Sequence, residues 1–323
     1  MAARVGIIGA SHVGAHVADA LLSQGLVSEL LLCDKDVALC RAQVNDLLDA
    51  MAFYPHAARV VGVDARYEEL AGCDVVVNAA GHVAAAAESR DGELHVTTDE
   101  VRTFARRVAD AGFGGVWVSV SNPNDVVALA IQRLTGTEPR RVIGSGTTLD
   151  SARFRHALSS ATGLDPHSVS ALMLGEHGLG EFALWSHVSF GSLAPAEVER
   201  ALGLELDRDA LEEEARRGGY VTMSGKRCTE YSIASGTVEV VRAVLNDTKL
   251  LTPVSTYMDG SAYGVSGIYE SLPCVIGAGG VERVVVPEMS EAEVAKWHES
   301  SRRIADNVRQ VAWLAALCEK IEA

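Results

Sequence analysis

Residue types that can hold and protonate a small organic anion fall close together in the middle of the chain. Leu149-Asp150-Ser151-Ala152-Arg153 sets an acid and a guanidinium three positions apart, and Gly175-Glu176-His177-Gly178 follows an apolar stretch. Positions i and i+3 share a helix face, so Asp150 and Arg153 would project together. The planar fork of Arg153 can grip a carboxylate with two parallel hydrogen bonds. Glycines on both sides of Glu176-His177 allow a turn that aims the imidazole into a cleft. A carboxylate beside an imidazole fixes its tautomer and favours its protonated form. A carboxylate anchor next to a proton donor and acceptor suits a small 2-oxo or 2-hydroxy acid.

A second chemical signal lies at the start of the chain. Gly9-Ala10-Ser11-His12-Val13-Gly14 follows an apolar strand pattern and precedes a helical one, the context that a dinucleotide-binding turn requires. Gly9 permits the tight turn and Gly14 permits close packing of helix on strand. The backbone N–H groups over Ser11, His12, Val13 and Gly14, with the helix dipole, would hold a pyrophosphate. Ser11 stands where the middle glycine of the pattern belongs, and either displaces the pyrophosphate outward or hydrogen-bonds to it. Asp34 ends the next apolar run, 20 residues beyond Gly14, where an acid accepts hydrogen bonds from ribose hydroxyls and repels a 2′-phosphate. NAD is therefore the expected cofactor. The alternative for Asp34 is a helix cap, a role for which Asp36 is better placed.

The elements that must position these groups can be read from the apolar pattern. Runs at 4–8, 29–33, 60–63, 75–78, 116–120 and 142–144 are apolar throughout, as strands buried on both faces should be. Helical patterns at 14–24 and 37–51, and between 78 and 116, alternate with them, which predicts a doubly wound parallel sheet. The second half differs. Helices are expected at 149–162, 195–217 and 229–245, a strand at 169–174, and antiparallel strands at 252–258 and 271–286. A long amphipathic C-terminal helix over 290–321 is expected to open with a Ser290/Glu293 capping box. The expected fold is thus α/β: a doubly wound parallel Rossmann sheet over 1–144, binding NAD, then an α+β substrate domain over 145–323.

Composition narrows the function classes. The 323 residues exceed one ordinary core and suit two domains. With 28 basic and 43 acidic residues the net charge is −15, which disfavours a nucleic-acid backbone as partner. No run of 18 apolar residues predicts a membrane span. The six cysteines form no C-x-x-C pair and no metal-type cluster, so no metal is expected and a reducing cytoplasm is the economical location.

Taken with Ser121-Asn122-Pro123-Asn124-Asp125 and Cys228-Thr229-Glu230-Tyr231, these motifs resemble the L-lactate/malate dehydrogenase family across essentially the whole chain. Within it the likeness is greatest to the L-2-hydroxyisocaproate and L-lactate dehydrogenases. The resemblance implies a role for each matched residue. His177 would be the proton donor in reduction and the base in oxidation, and Asp150 its partner. Arg153 would hold the substrate carboxylate, and Asn122 would hydrogen-bond near the substrate oxygen and the nicotinamide. Arg90 would come from a closing loop and polarise the carbonyl.

The same resemblance bears on specificity and assembly. Ala84 falls at the position facing the substrate side chain, where malate enzymes place arginine and lactate enzymes commonly glutamine. An uncharged alanine there disfavours a dicarboxylate and admits apolar groups larger than methyl. Thr229 matches the lactate-type threonine, and Tyr231 replaces the usual tryptophan. Ala84-Ala85-Ala86-Ala87 departs from both branches. Fructose bisphosphate regulation needs a basic residue, matched by Arg155, and a histidine at the position of Ser170, so no such activation is expected. The expected activity is an NAD-dependent L-2-hydroxy acid dehydrogenase for uncharged, medium or bulky apolar side chains. The alternatives are an L-lactate dehydrogenase acting on pyruvate, a malate dehydrogenase, and a non-catalytic NAD-binding relative. A homotetramer is expected, with a homodimer as the alternative, and without an exchanged N-terminal arm before the first strand.

Overall fold

A computed structural model describes residues 3–81 and 90–322. Strands β1 (Arg4–Ile8), β2 (Glu29–Cys33), β3 (Arg59–Asp64), β4 (Val75–Asn78), β5 (Val116–Ser119) and β6 (Val142–Gly144) are parallel neighbours in the order β3-β2-β1-β4-β5-β6. Strands β1, β2, β4 and β5 are buried almost end to end, as their unbroken apolar sequences require. Between these strands run helices α1 (His12–Ser23), α2 (Val37–Ala50), α3 (Arg90–Asp110) and α4 (Asn124–Thr135). The strand order reverses between β1 and β4, which pair in register from Val5↔Val75 to Ile8↔Asn78. A crevice at the carboxyl ends of these two strands is where such sheets bind ligands.

The second half begins with α5 (Thr148–Thr162) and continues through four two-residue strands, β7 (Val169–Ser170), β8 (Met173–Leu174), β9 (Phe182–Ala183) and β10 (Ser189–Phe190). Helices α6 (Pro195–Leu202), α7 (Arg208–Lys226) and α8 (Tyr231–Asn246) follow. Strands β11 (Leu250–Asp259), β12 (Ser266–Gly277) and β13 (Gly280–Val284) then extend the large sheet antiparallel from β6, through the pair Ser255↔Gly144, to nine strands. Helices α9 (Glu291–Gln310) and α10 (Ala312–Glu322) close the chain. Apolar clusters fill both faces of the sheet, one built around Trp117, Phe104 and Trp297, the other around Leu21, Leu22 and Val241. No helix among the described residues is long and apolar enough to cross a membrane.

Three expectations need correction. The strand over 169–174 is two short strands, β7 and β8, which pair with β10 and β9 in separate two-stranded sheets. The helix over 195–217 is two helices. Gly203 ends α6 in the left-handed region at φ 66°, and Asp207 caps α7 by accepting from Ala210 N. The C-terminal helix opens with the Ser290/Glu293 capping box as expected but breaks at Val311. Val311 leaves helical geometry at ψ 86° and buries its side chain in the core cluster. No Gly or Pro marks that break, so the packing of α9 and α10 imposes it.

Candidate active site

The turn after β1 brings main chain against main chain. Gly9 adopts φ +98°, and a Cβ there would stand 2.6 Å from the carbonyl oxygen of Ala79 at the end of β4. A Cβ on Gly14 would stand 1.8 Å from the carbonyl oxygen of Gly9, so only glycine lets α1 enter this close to the turn. Ser11 is the N-cap of α1, is exposed, and makes no capping bond with its hydroxyl. The first amides of α1, at His12, Val13 and Gly14, precede any intrahelical partner. The ring of His12 turns away to place Nδ1 2.6 Å from Glu230 Oε1, and Val13 packs on the core below, so these two offer backbone rather than side chain.

Asp34 stands at the end of β2 with one oxygen on this turn. Its Oδ2 accepts from Ala10 N at 2.7 Å and its Oδ1 from Asp36 N at 2.8 Å. Asp36 caps α2 through Leu39 N at 3.0 Å, so Asp34 is not needed as a cap. A glycine cradle that a Cβ would fill, a helix N-terminus and a half-buried carboxylate beyond it fit a dinucleotide.

At the other side of the crevice α5 starts just after β6. Asp150, in its first turn, is 1% exposed and serves two neighbours. Its Oδ2 lies 2.6 Å from Nδ1 of His177, and its Oδ1 accepts from Arg153 Nη1 at 2.7 Å. Nδ1 therefore carries the hydrogen, which leaves Nε2 as the ring atom able to exchange a proton with a ligand. Arg153 is thus paired with the acid on its own helix face. Its remaining edge lies along α7, where a Cβ on Gly218 would meet Arg153 Cδ at 2.9 Å and one on Gly219 would meet Nη2 at 3.3 Å.

The loop that carries His177 is pinned from three directions. Gly175 exchanges backbone hydrogen bonds with Ser271 of β12, at 3.2 and 3.1 Å. Glu176 N donates to Ser300 Oγ of α9 at 2.6 Å, and His177 N donates to Asp125 Oδ2 of α4 at 3.0 Å. Gly175 and Gly178 take φ +93° and +146°, conformations that admit little but glycine. The sequence thus fixes the ring by giving its loop two glycines and its neighbours three polar anchors.

The electrostatics follow from the burial of these groups. Burial disfavours the His177 cation, but the charge and hydrogen bond of Asp150 outweigh it, and the imidazole is raised above its ordinary range. Burial likewise opposes ionised Asp150, yet His177 and Arg153 together hold it below the usual carboxylate range. For Asp125 the charge of His177 is only a lesser influence, set against stronger burial. Burial pushes it up to about 7, although Ser255 Oγ at 2.5 Å and the His177 amide both favour its anion.

A cavity of about 360 Å³ opens in front of His177, with Asn122, Pro123, Glu176, Leu179 and Arg303 among its walls. Asn122 follows β5, is exposed, and precedes a cis peptide bond to Pro123. Beside it Asn124 Nδ2 donates to Ser119 O at 3.0 Å and its Oδ1 accepts from Gly146 N at 2.9 Å, so the ends of β5 and β6 are tied together. The structure therefore brings His177, Asp150, Arg153 and Asn122 to one region, with Asp150, Arg153 and Thr229 outside the lining of the cavity itself. Thr229 is half-buried after α7, and its neighbour Glu230 reaches back to His12 of the glycine turn. Arg90 is the first residue of α3, and its side chain lies outside the described residues, as does Ala84.

Sequence reasoning missed Asp125, Ser255 and Glu181. Asp125 had a signal, since Asn124 and Asp125 open a helix that is otherwise apolar and buried through Ile131. Glu181 and Ser255 had none, because their partners lie on other elements.

The lactate/malate dehydrogenase NAD-binding domain matches residues 3–144, and the lactate/malate dehydrogenase alpha/beta C-terminal domain matches residues 147–313. An L-lactate dehydrogenase of Fusobacterium nucleatum is 36% identical over 295 residues, covering 90% of this chain and 91% of that protein. A lactate dehydrogenase from a Medee basin deep-sea metagenome library superposes with a TM-score of 0.90 at 29% identity, covering 96% of this chain and 99% of that one. The malate dehydrogenase of Cryptosporidium parvum does so with a TM-score of 0.90 at 28% identity, over the same shares of the two chains.

Proposed function

Since the chain belongs to the lactate/malate dehydrogenase family and is an NAD-dependent 2-hydroxy acid dehydrogenase, we propose that it reduces and re-forms 2-oxo acids with uncharged side chains. The observation that carries this reading is the Asp150–His177–Arg153 constellation, with 2.6 and 2.7 Å contacts, beside a cavity that Asn122, just after β5, also lines. Residues 1–144 serve the cofactor in this reading and 145–323 the substrate, with one sheet running through both.

NAD fits the turn at Gly9–Gly14 and Asp34, and when bound it supplies the hydride donor and acceptor at C2 of the substrate. The chain's own residues do the rest. Arg153 holds the substrate carboxylate through the edge not committed to Asp150. His177 gives the proton on Nε2 to the carbonyl oxygen as negative charge develops there, and takes it back in oxidation. Asp150 stabilises the imidazolium and keeps its Nδ1 edge turned inward. Asn122 orients the substrate oxygen, and Arg90 polarises the carbonyl.

Side-chain preference rests on Ala84, because lactate and malate enzymes share this fold equally well. No cation at position 84 means a second carboxylate would be buried unpaired, at a cost of roughly several kcal/mol. Each apolar CH₂ buried instead contributes about 0.8 kcal/mol. L-lactate dehydrogenase activity on pyruvate is the second reading, favoured by the L-lactate dehydrogenase relative. Loss of NADH absorbance with pyruvate, 2-oxoisocaproate, phenylpyruvate and oxaloacetate separates these options. A best rate with oxaloacetate would overturn the reading of Ala84. A cytoplasmic homotetramer completes the proposal, and light scattering of the purified protein tests its assembly.

A further inference from the structure

Glu181 lies four residues beyond His177, directly before β9, and is 3% exposed. Its carboxyl group, the Asp150 carboxylate and the His177 ring each offer a polar atom, all within 4.8 Å of one another. Oε1 of Glu181 is buried and meets no N–H or O–H donor among the described residues. Each element around it presents a charged group. Asp150 and Arg153 face it from α5 and His177 from its loop. From α7, Arg216 donates to the main-chain carbonyl of Glu181 at 3.3 Å and to Glu212 and Glu213 at 3.1 and 2.7 Å, while its Nε is buried without a hydrogen-bond partner among the described residues.

Two carboxylates are both acceptors, so they share a hydrogen bond only when one carries a proton. Asp150 is the anion, because His177 and Arg153 overcome its burial. Burial, and then the charge of Asp150, push the Glu181 acid well above the usual carboxylate range, and Arg153 and Arg216 do not reverse this. We propose that Glu181 is a positioning residue for the proton at His177: as a neutral acid it donates a hydrogen bond to Asp150 and so limits how tightly that carboxylate holds the imidazolium. Asp150 then has a partner on each of three sides, His177, Arg153 and Glu181. Electron density drawn toward Glu181 is density not available to the Nδ1–H of His177, which eases release of the proton at Nε2. The inference rests on the reading of His177 as the acid of the reaction.

Two measurements test it. Infrared spectra of the NADH-loaded enzyme should contain a carbonyl band of a protonated carboxyl group that disappears in Glu181→Gln. This readout needs no turnover, so it stands even if no 2-oxo acid is reduced and the assigned reaction fails. The second is the basic limb of kcat/KM for 2-oxo acid reduction. Glu181→Gln keeps a neutral donor and leaves the limb in place. Glu181→Leu removes the donor, lets Asp150 hold the imidazolium more firmly, and moves the limb upward by about half a pH unit or more. No loss of protonated-carboxyl intensity in Glu181→Gln, or a downward limb in that variant from removal of a negative charge, shows an ionised Glu181 and overturns the proposal. Superimposable limbs in all three proteins reduce Glu181 to a space-filler and overturn it as well. Should Glu181→Leu fail to fold, the band and the glutamine limb decide.

Discussion

Asp150→Asn isolates the charge that keeps His177 protonated. Asparagine preserves shape and can still meet Nδ1, but it carries no charge. In the structure the two groups touch at 2.6 Å with Asp150 1% exposed, so solvent screens the pair little. Opposite charges roughly 4 Å apart at an effective dielectric constant of about 20 attract by about 4 kcal/mol. Arg153, no longer neutralised at 2.7 Å, would also repel the imidazolium. Relaxation and residual hydrogen bonding reduce the loss, so a range of about 2 to 4 kcal/mol is expected, or roughly 30- to 1,000-fold in kcat/KM.

The sign depends on direction of reaction. His177 is raised in the native enzyme, so reduction, which needs the cation, is full at low pH and falls as pH rises through the folded value. Asp150→Asn moves that fall to lower pH. NADH affinity, measured by fluorescence, should not change, because Asp150 lies on α5 and the proposed cofactor turn precedes α1. A variant with kcat/KM within about threefold of the parent and an unmoved limb would refute the assignment of His177 and Asp150 as a working pair.

The remaining predictions use other contacts. Gly218→Ala should raise KM for 2-oxo acids several-fold without lowering the melting temperature, since its Cβ would press on Arg153 Cδ at 2.9 Å while alanine favours the helix by about 1 kcal/mol. Steady-state kinetics beside thermal unfolding separates the two effects. Asp34→Ser should weaken NADH binding by about tenfold and narrow the gap to NADPH, because both the ribose acceptor and the charge that repels a 2′-phosphate are lost. Titration with each cofactor measures it. Asp125 holds a proton up to about 7 in the folded state. An unfolded aspartate loses it near ~3.9, so this group's contribution to stability declines as pH rises between those values. Asp125→Asn should remove that part of the pH slope in thermal unfolding, and an unchanged slope would contradict it. Fructose bisphosphate should leave KM unchanged, since Ser170 on β7 and Arg155 on α5 offer one cation where the resemblance calls for two. A fall in KM on adding it would contradict the reading of Ser170.

Much of the molecule could be read before any coordinates. The parallel sheet followed from strands that are apolar throughout, because only burial on both faces tolerates such sequences. Gly9 and Gly14 were legible because a tight turn and a close helix each demand glycine, and Asp34 because an acid ending β2 meets that turn. The convergence of Asp150, Arg153 and His177 was legible because few side chains possess the chemistry that pairs them. These are properties of single residues and short spacings, which a linear chain states outright. The break at Val311, the extension of the sheet through Ser255↔Gly144 and the partnership of Glu181 with Asp150 are of another kind. Each arises where segments distant in sequence meet, and no local preference encodes it. Tertiary packing alone decided that Arg153 spends one corner of its fork on Asp150, and that the acid behind His177 is shared with a second, protonated one. A buried charge takes its state from every neighbour within a few ångströms, and those neighbours exist only after the chain has folded.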